Sequence, residues 1–146
     1  MRAVWPERHP LTVRLGVIDY VDGEQPLEES IELLRLMKAR GLDLVDVSMG
    51  FNTPDASRVP WSEEAFLAPV AARIRQSTGL PTATSWNIRD PKHADQLIAS
   101  EQLDLVMLAK SILAAPHWVY QAAKTLGRPA PEAVLPDRYA FWLKGL

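Results

Sequence analysis

Four strand-then-helix units follow one another along 146 residues, and this alternation constrains the fold more than any other feature. The predicted strands are Leu11–Val17, Leu42–Met49, Leu80–Trp86 and Leu103–Lys110. Short strands that alternate with helices of about ten residues or more are joined by crossovers, so the sheet is expected to be parallel. A closed (β/α)8 barrel needs eight such units and about 200 residues or more. The chain therefore reads as α/β, half of a TIM (β/α)8 barrel, with four parallel βα units in a single partial-barrel domain over residues 1–146. Two strands open on the same four residues, Leu42-Asp43-Leu44-Val45 and Leu103-Asp104-Leu105-Val106, and are read as equivalent strand starts. Met1-Arg2-Ala3 leads almost at once into Trp5-Pro6 and a strand, the start expected of a fragment or an internal start site.

The helices carry their own signals. Leu27 to Arg40 places Ile31, Leu34, Met37 and Lys38 along one face, with Leu33 and Leu36 widening it. Glu28, Glu29 and Glu32 near its start and Lys38 and Arg40 near its end match the helix dipole, and Gly41 stops it. Asp22-Gly23 is a turn signal before it. A second helix is predicted from Trp61-Ser62-Glu63-Glu64, with Ser62 as N-cap, to about Ser77. Asp90-Pro91 opens a third, with proline at its first position. Pro116 begins a fourth that ends at Leu126-Gly127. The tail, with Pro129, Pro131 and Pro136, is expected to run extended as far as Tyr139–Leu143.

Composition narrows the function classes. Hydrophobic residues make up 47% of the chain, too many for a disordered segment, and the net charge of -2 offers no nucleic-acid surface. The absence of cysteine excludes disulfides, thiolate metal sites and a cysteine nucleophile, and fits a cytoplasmic location. No apolar run approaches the roughly 20 residues of a membrane span. His9, His93 and His117 lack metal-ligand spacing, so no metal site is expected. No nucleophile elbow and no G-x-G-x-x-G is present.

Function in parallel barrels collects where strands end and helices begin. Arg14 lies inside an apolar strand and needs a partner there. It is either a structural ion pair with an acid on a neighbouring strand or a cation aimed into the barrel mouth. Ser85-Trp86-Asn87 closes the third strand, and Trp86 is either a rim cover or one wall of a ligand pocket. Ala109-Lys110-Ser111 closes the fourth, where Lys110 is either a solvated charge or a point charge for a phosphate. Asp43 and Asp104, at strand entries, fall on the stability face, and Asp19, Asp43, Asp46 and Asp104 form no diagnostic pair.

Taken in order, these pieces resemble the C-terminal half of old yellow enzyme-type flavin oxidoreductases, and most of all the xenobiotic-reductase subgroup. The segments that carry the likeness are Leu11–Val17, Leu27–Leu33, Gly41–Phe51, Val59-Pro60-Trp61, Leu103–Val106, Ala114–Trp118 and Pro136–Leu143. The resemblance implies a TIM barrel that binds FMN, is reduced by NAD(P)H and reduces activated alkenes. It implies that Arg14 stands beside flavin N1 and O2, and that Trp86 and Asn87 lie near the phosphate and the substrate pocket. It implies that Ala109 and Lys110 fall in the phosphate turn, and that Trp142 is the C-terminal aromatic that reaches a neighbouring subunit's substrate pocket. Asn87 and Ala109 stand where the family has glycines and Lys110 where it has arginine. Ala115 replaces an aspartate N-cap ahead of Pro116.

By the same resemblance no catalytic residue is expected in this chain, because the tyrosine proton donor, the His/His or His/Asn pair that binds substrate and the residues around flavin N5 belong to the other half. The expected partner is that N-terminal half-barrel or a second copy of the chain, with no nucleic acid and no membrane. The first functional expectation is a fragment of an FMN-dependent NAD(P)H oxidoreductase, inactive without its other half. A non-catalytic self-associating half-barrel or degenerate remnant is the second. Half of another phosphate-ligand barrel, such as a lyase, is the third.

Overall fold

The computed structural model describes residues 2–21, 26–50 and 55–145. The elements in chain order are β1 (Thr12–Ile18), α1 (Leu27–Ala39), β2 (Leu44–Met49), α2 (Ala68–Thr78), β3 (Thr82–Thr84) and α3 (Pro91–Ala99), then β4 (Leu105–Val106), α4 (Lys110–Ala114), α5 (Trp118–Thr125) and α6 (Asp137–Leu143). Short 3-10 turns occupy Arg2–Val4 and Pro131–Val134. The four strands form one sheet in the order β1-β2-β3-β4, and every pairing is parallel. This is the strand order and direction of half of a (β/α)8 barrel. Asp22-Gly23 and Phe51 lie outside the described residues.

Register separates the two faces of the sheet. Leu15, Val47, Thr84 and Val106 are aligned across the strands. On that side Val45, Val47, Leu34, Ile74, Leu97 and Leu103 build the main core between strands and helices. The neighbouring row is Arg14, Asp46, Ala83 and Leu105, on the face that the helices do not cover. Gly16 lets β1 pass close to the chain after β2, since a Cβ there would meet Gly50 Cα at 2.5 Å.

The repeated Leu-Asp-Leu-Val start has one structural job, performed twice. The Leu11 N–H donates to Asp43 Oδ2 at 2.7 Å, and the Thr82 N–H donates to Asp104 Oδ2 at 2.9 Å. Each carboxylate also receives an arginine, Arg2 at Asp43 and Arg75 at Asp104. Both aspartates thus fasten the entry of an adjacent strand. At Asp43 the Leu11 backbone N–H and the Arg2 side chain hold the carboxyl below its ordinary range.

Several expected boundaries are corrected. The second helix begins at Ala68, and residues 61–67 form turns. Pro69 explains this: inside a longer helix its ring would clash with the carbonyl four residues back, and that residue, Ala65, has φ +54. Ser62 is therefore not the N-cap of α2, which is Leu67. The third and fourth strands are shorter than the apolar runs that suggested them, and Lys110 starts α4 instead of ending β4. A short apolar run cannot separate a strand from the helix entry that follows it. The helix expected from Pro116 starts at Trp118 with His117 as its N-cap, so Ala115 is not a failed cap. In the tail, Pro131 opens a 3-10 turn and Pro136 precedes α6 instead of an extended run, and Asp137 sits in the first turn of α6. Asp90 caps α3 as predicted, accepting from the Lys92 N–H at 3.0 Å.

Candidate ligand-binding cleft

A cleft of about 710 Å³ opens beyond the carboxyl ends of β3 and β4. Its lining includes Arg14, the stretch from Ser85 to Arg89, the stretch from Met107 to Ser111, and Trp118. The volume lies inside the range of about 300–1,000 Å³ typical of small-molecule pockets. Three lining residues are cationic, Arg14, Arg89 and Lys110, and none is a carboxylate.

Arg14 combines both readings of its sequence position. Its Nη1 donates to Asp46 Oδ2 at 3.1 Å and its Nη2 to Ser48 Oγ at 3.1 Å, while its side chain stays about half exposed on the cleft. Asp46 did form a pair that its spacing alone did not disclose. Burial pushes the Asp46 carboxyl above the usual range, and the Arg14 charge and hydrogen bond only partly offset this. Asp46 is 7% exposed, and its Oδ1 has no hydrogen-bond partner among the described residues.

The segment from Ser85 to Arg89 is a wall pinned from several sides. The Ala65 N–H donates to the Trp86 carbonyl at 3.0 Å, Ser111 Oγ to the Ile88 carbonyl at 2.6 Å, and Trp118 Nε1 to the Arg89 carbonyl at 2.9 Å. Glu64 Oε1 accepts the backbone N–H groups of Arg89 and Asp90, the latter at 2.9 Å. His93 Nδ1 lies 3.4 Å from the other Glu64 oxygen. Burial alone would raise Glu64, but these backbone and His93 contacts outweigh it and hold the carboxyl below its ordinary range.

Two successive non-glycine residues in this wall are left-handed, Trp86 at φ +69 and Asn87 at φ +56. Asparagine tolerates that conformation, whereas for a bulky side chain it is an outlier. The resemblance puts a glycine at position 87, and the backbone here has the conformation a glycine would supply. Trp86 is at once rim cover and cleft wall: its ring packs 5.6 Å from Trp61 and 5.7 Å from Phe66, centroid to centroid.

The five residues that the resemblance assigns to cofactor, Arg14, Trp86, Asn87, Ala109 and Lys110, all line this one cleft. Trp142 does not; it lies on α6, 77% exposed. Glu64, Arg89, Ser111 and Trp118 were not singled out from sequence. Arg89 carried a usable signal, since it follows a strand end by a few residues. Glu64 was absorbed into a helix that does not extend that far. Among the described residues no group of His, Asp and Glu could hold a metal, and no helix is long and apolar enough to cross a membrane.

The fold and the cleft together define a parallel α/β half-barrel with a cationic pocket at the carboxyl ends of its strands. No family model matches the chain. It is 32% identical over 138 residues to an NADPH dehydrogenase of Geobacillus sp. (strain WCH70), a match covering 94% of this chain and 39% of that protein. With the NADPH dehydrogenase of Geobacillus thermodenitrificans (strain NG80-2) it shares 34% identity over 127 residues, 87% of this chain and 36% of that one. That of Listeria innocua serovar 6a is 31% identical over the same shares. The chain is a homologue of the C-terminal part of NADPH dehydrogenases of the old yellow enzyme family. It spans less than two fifths of the length of these curated relatives.

Proposed function

We propose that this chain is the cofactor-holding C-terminal half of an FMN-dependent NAD(P)H oxidoreductase that reduces activated alkenes. The observation that carries the reading is the convergence of Arg14, Trp86, Asn87, Ala109 and Lys110 on one cleft. The residues fit the group: Met107, Leu108 and Trp118 offer apolar surface to a flat ring, and the cations match a phosphate monoester. When bound, the flavin supplies the two-electron carrier between nicotinamide and substrate. Arg14, oriented by Asp46 and Ser48, provides a fixed positive charge at the ring. Lys110 provides a point charge for the phosphate.

By the resemblance the tyrosine proton donor and the substrate clamp belong to the other half, so turnover is expected to require a complementary half-barrel against the open edges of β1 and β4. The test is the purified chain with FMN, NADPH and an α,β-unsaturated ketone, alone and mixed with the N-terminal part of a relative. Activity only in the mixture is expected. Full enone reduction by the chain alone overturns the requirement for a second half. A lack of flavin retention in the mixture overturns the cofactor assignment.

The open edges, together with Leu105 and Met107 exposed on the strand side of β4, favour one second reading. Two copies of the chain pair edge to edge without catalysis. Sedimentation equilibrium decides this: a dimer that retains no flavin supports it, and a stable monomer removes it.

A further inference from the structure

We infer that Arg89 is a phosphate-binding residue of the cleft and that Asn87 acts by orienting it. The inference rests on the flavin reading for the ligand's identity, but its geometry is independent. Asn87 faces the cleft, yet its polar atoms are committed. Its Nδ2 donates to the carbonyls of Trp61 and Glu63, and its Oδ1 accepts from Arg89 Nη2 at 3.1 Å. An asparagine so engaged has no donor left for an anion. What it does is hold one edge of the Arg89 guanidinium on the cleft wall.

Arg89 has no carboxylate partner among the described residues, and neither has Lys110. The neighbouring carboxylates are spent on backbone. Asp90 caps the Lys92 N–H at 3.0 Å, and Glu64 takes the N–H groups of Arg89 and Asp90. Ser111 is likewise spent, donating to the Ile88 carbonyl. Two uncompensated cations on one cleft, from the segments after β3 and after β4, form a side-chain site for a doubly charged phosphate monoester. Side chains at Asn87 and Ala109 hinder direct approach of an anion to the backbone there. A planar guanidinium with a bidentate fork replaces those backbone donors.

Arginine side-chain N–H resonances of the full chain provide the test, with Arg89→Ala used to assign the Arg89 signal. The probes are FMN, riboflavin and inorganic phosphate. FMN and phosphate should both move the Arg89 resonance, and riboflavin should leave it in place. By fluorescence titration, Arg89→Ala should weaken FMN binding about tenfold and leave riboflavin unaffected. Arg40→Ala, which removes the same charge outside the cleft, should change neither. An Arg89 resonance that ignores both phosphate-bearing probes overturns the inference, as does an unchanged FMN affinity in Arg89→Ala. Movement with inorganic phosphate, coupled with no retention of either flavin even when the N-terminal part of a relative is added, supports Arg89 as an anion site and instead overturns the flavin reading.

Discussion

Arg14 Nη1 donates to Asp46 Oδ2 at 3.1 Å across the β1–β2 pairing, and this bond sets the direction of the guanidinium that lines the cleft. The carboxylate is the buried partner and the arginine the exposed one, so the cost of burial falls on Asp46. Its raised pKa follows. Because the folded-state value exceeds the unfolded one, wild-type stability from this group is fully present below the ordinary value of 3.8 and declines as pH rises through the folded value. Asp46→Asn lacks that loss. Its stability relative to wild type, measured by urea unfolding at pH 4 and pH 7, should therefore improve at the higher pH. A relative loss on going to pH 7 would show that the Arg14 attraction outweighs the burial cost.

Glu64 has the opposite sign. Its folded-state pKa lies below the ordinary glutamate value of 4.5, so its contribution is complete above that value and disappears as pH falls through the folded one. Glu64→Gln should cost about 1.5 kcal/mol at pH 7, the lower end of the range for hydrogen bonds to a charged group, because the site is partly exposed. The difference from wild type should vanish at acid pH. Amide exchange at Arg89 and Asp90 should quicken in the variant at neutral pH; protection equal to wild type would remove Glu64 as the anchor of this wall.

The contrast between these two carboxylates shows what a linear reading can reach. The alternation of strands and helices, the Asp90-Pro91 cap and the glycine at position 41 that ends α1 are local signals, and they appear in the structure where the residues themselves dictate them. Arg14 was conspicuous because a charge in an apolar strand demands a partner. Which acid supplies it depends on strand register, which two separate segments decide together. Glu64 reaches Arg89 across 25 residues and bonds its backbone, a contact that no residue type advertises. The start of α2 lies later than the pattern of residues 61–67 suggests, because Pro69 and the left-handed Ala65 override it. The family resemblance points to five of the residues that line the cleft but not to Arg89, and only geometry shows that Asn87 bonds Arg89 there.

Close passage of β1 and the chain after β2 gives a steric prediction. A Cβ at Gly16 would lie 2.5 Å from Gly50 Cα and 2.8 Å from the Met49 carbonyl carbon, all backbone atoms that cannot swing away. Gly16→Ala should destabilise by about 1–3 kcal/mol, the usual cost of overpacking. Gly127→Ala is the control: its Cβ meets nothing within 4 Å, and only the left-handed φ of +66 opposes it. That conformational cost is about 1–2 kcal/mol. Chemical denaturation of both variants checks this, together with FMN affinity. Gly16→Ala should also weaken FMN binding, because Arg14 is two residues away on the same strand, while Gly127→Ala should not. Equal ligand affinity in both would uncouple the β1 backbone from the cleft.

Trp142 tests whether the tail takes part in the cleft of its own chain. It lies on α6, 77% exposed, with Phe141 edge-on at 5.2 Å and no place in the cleft lining. The tail packs through other groups, such as Tyr139, whose ring lies 6.3 Å from that of His117. Trp142→Ala should change the stability of the chain by less than about 0.5 kcal/mol, as surface substitutions usually do. It should also leave the FMN affinity of the isolated chain unaltered. If the side chain serves a neighbouring subunit, the substitution should matter only in an assembly, where it would weaken association or substrate binding. A tenfold loss of FMN affinity in the monomeric Trp142→Ala chain would mean that α6 folds over its own cleft.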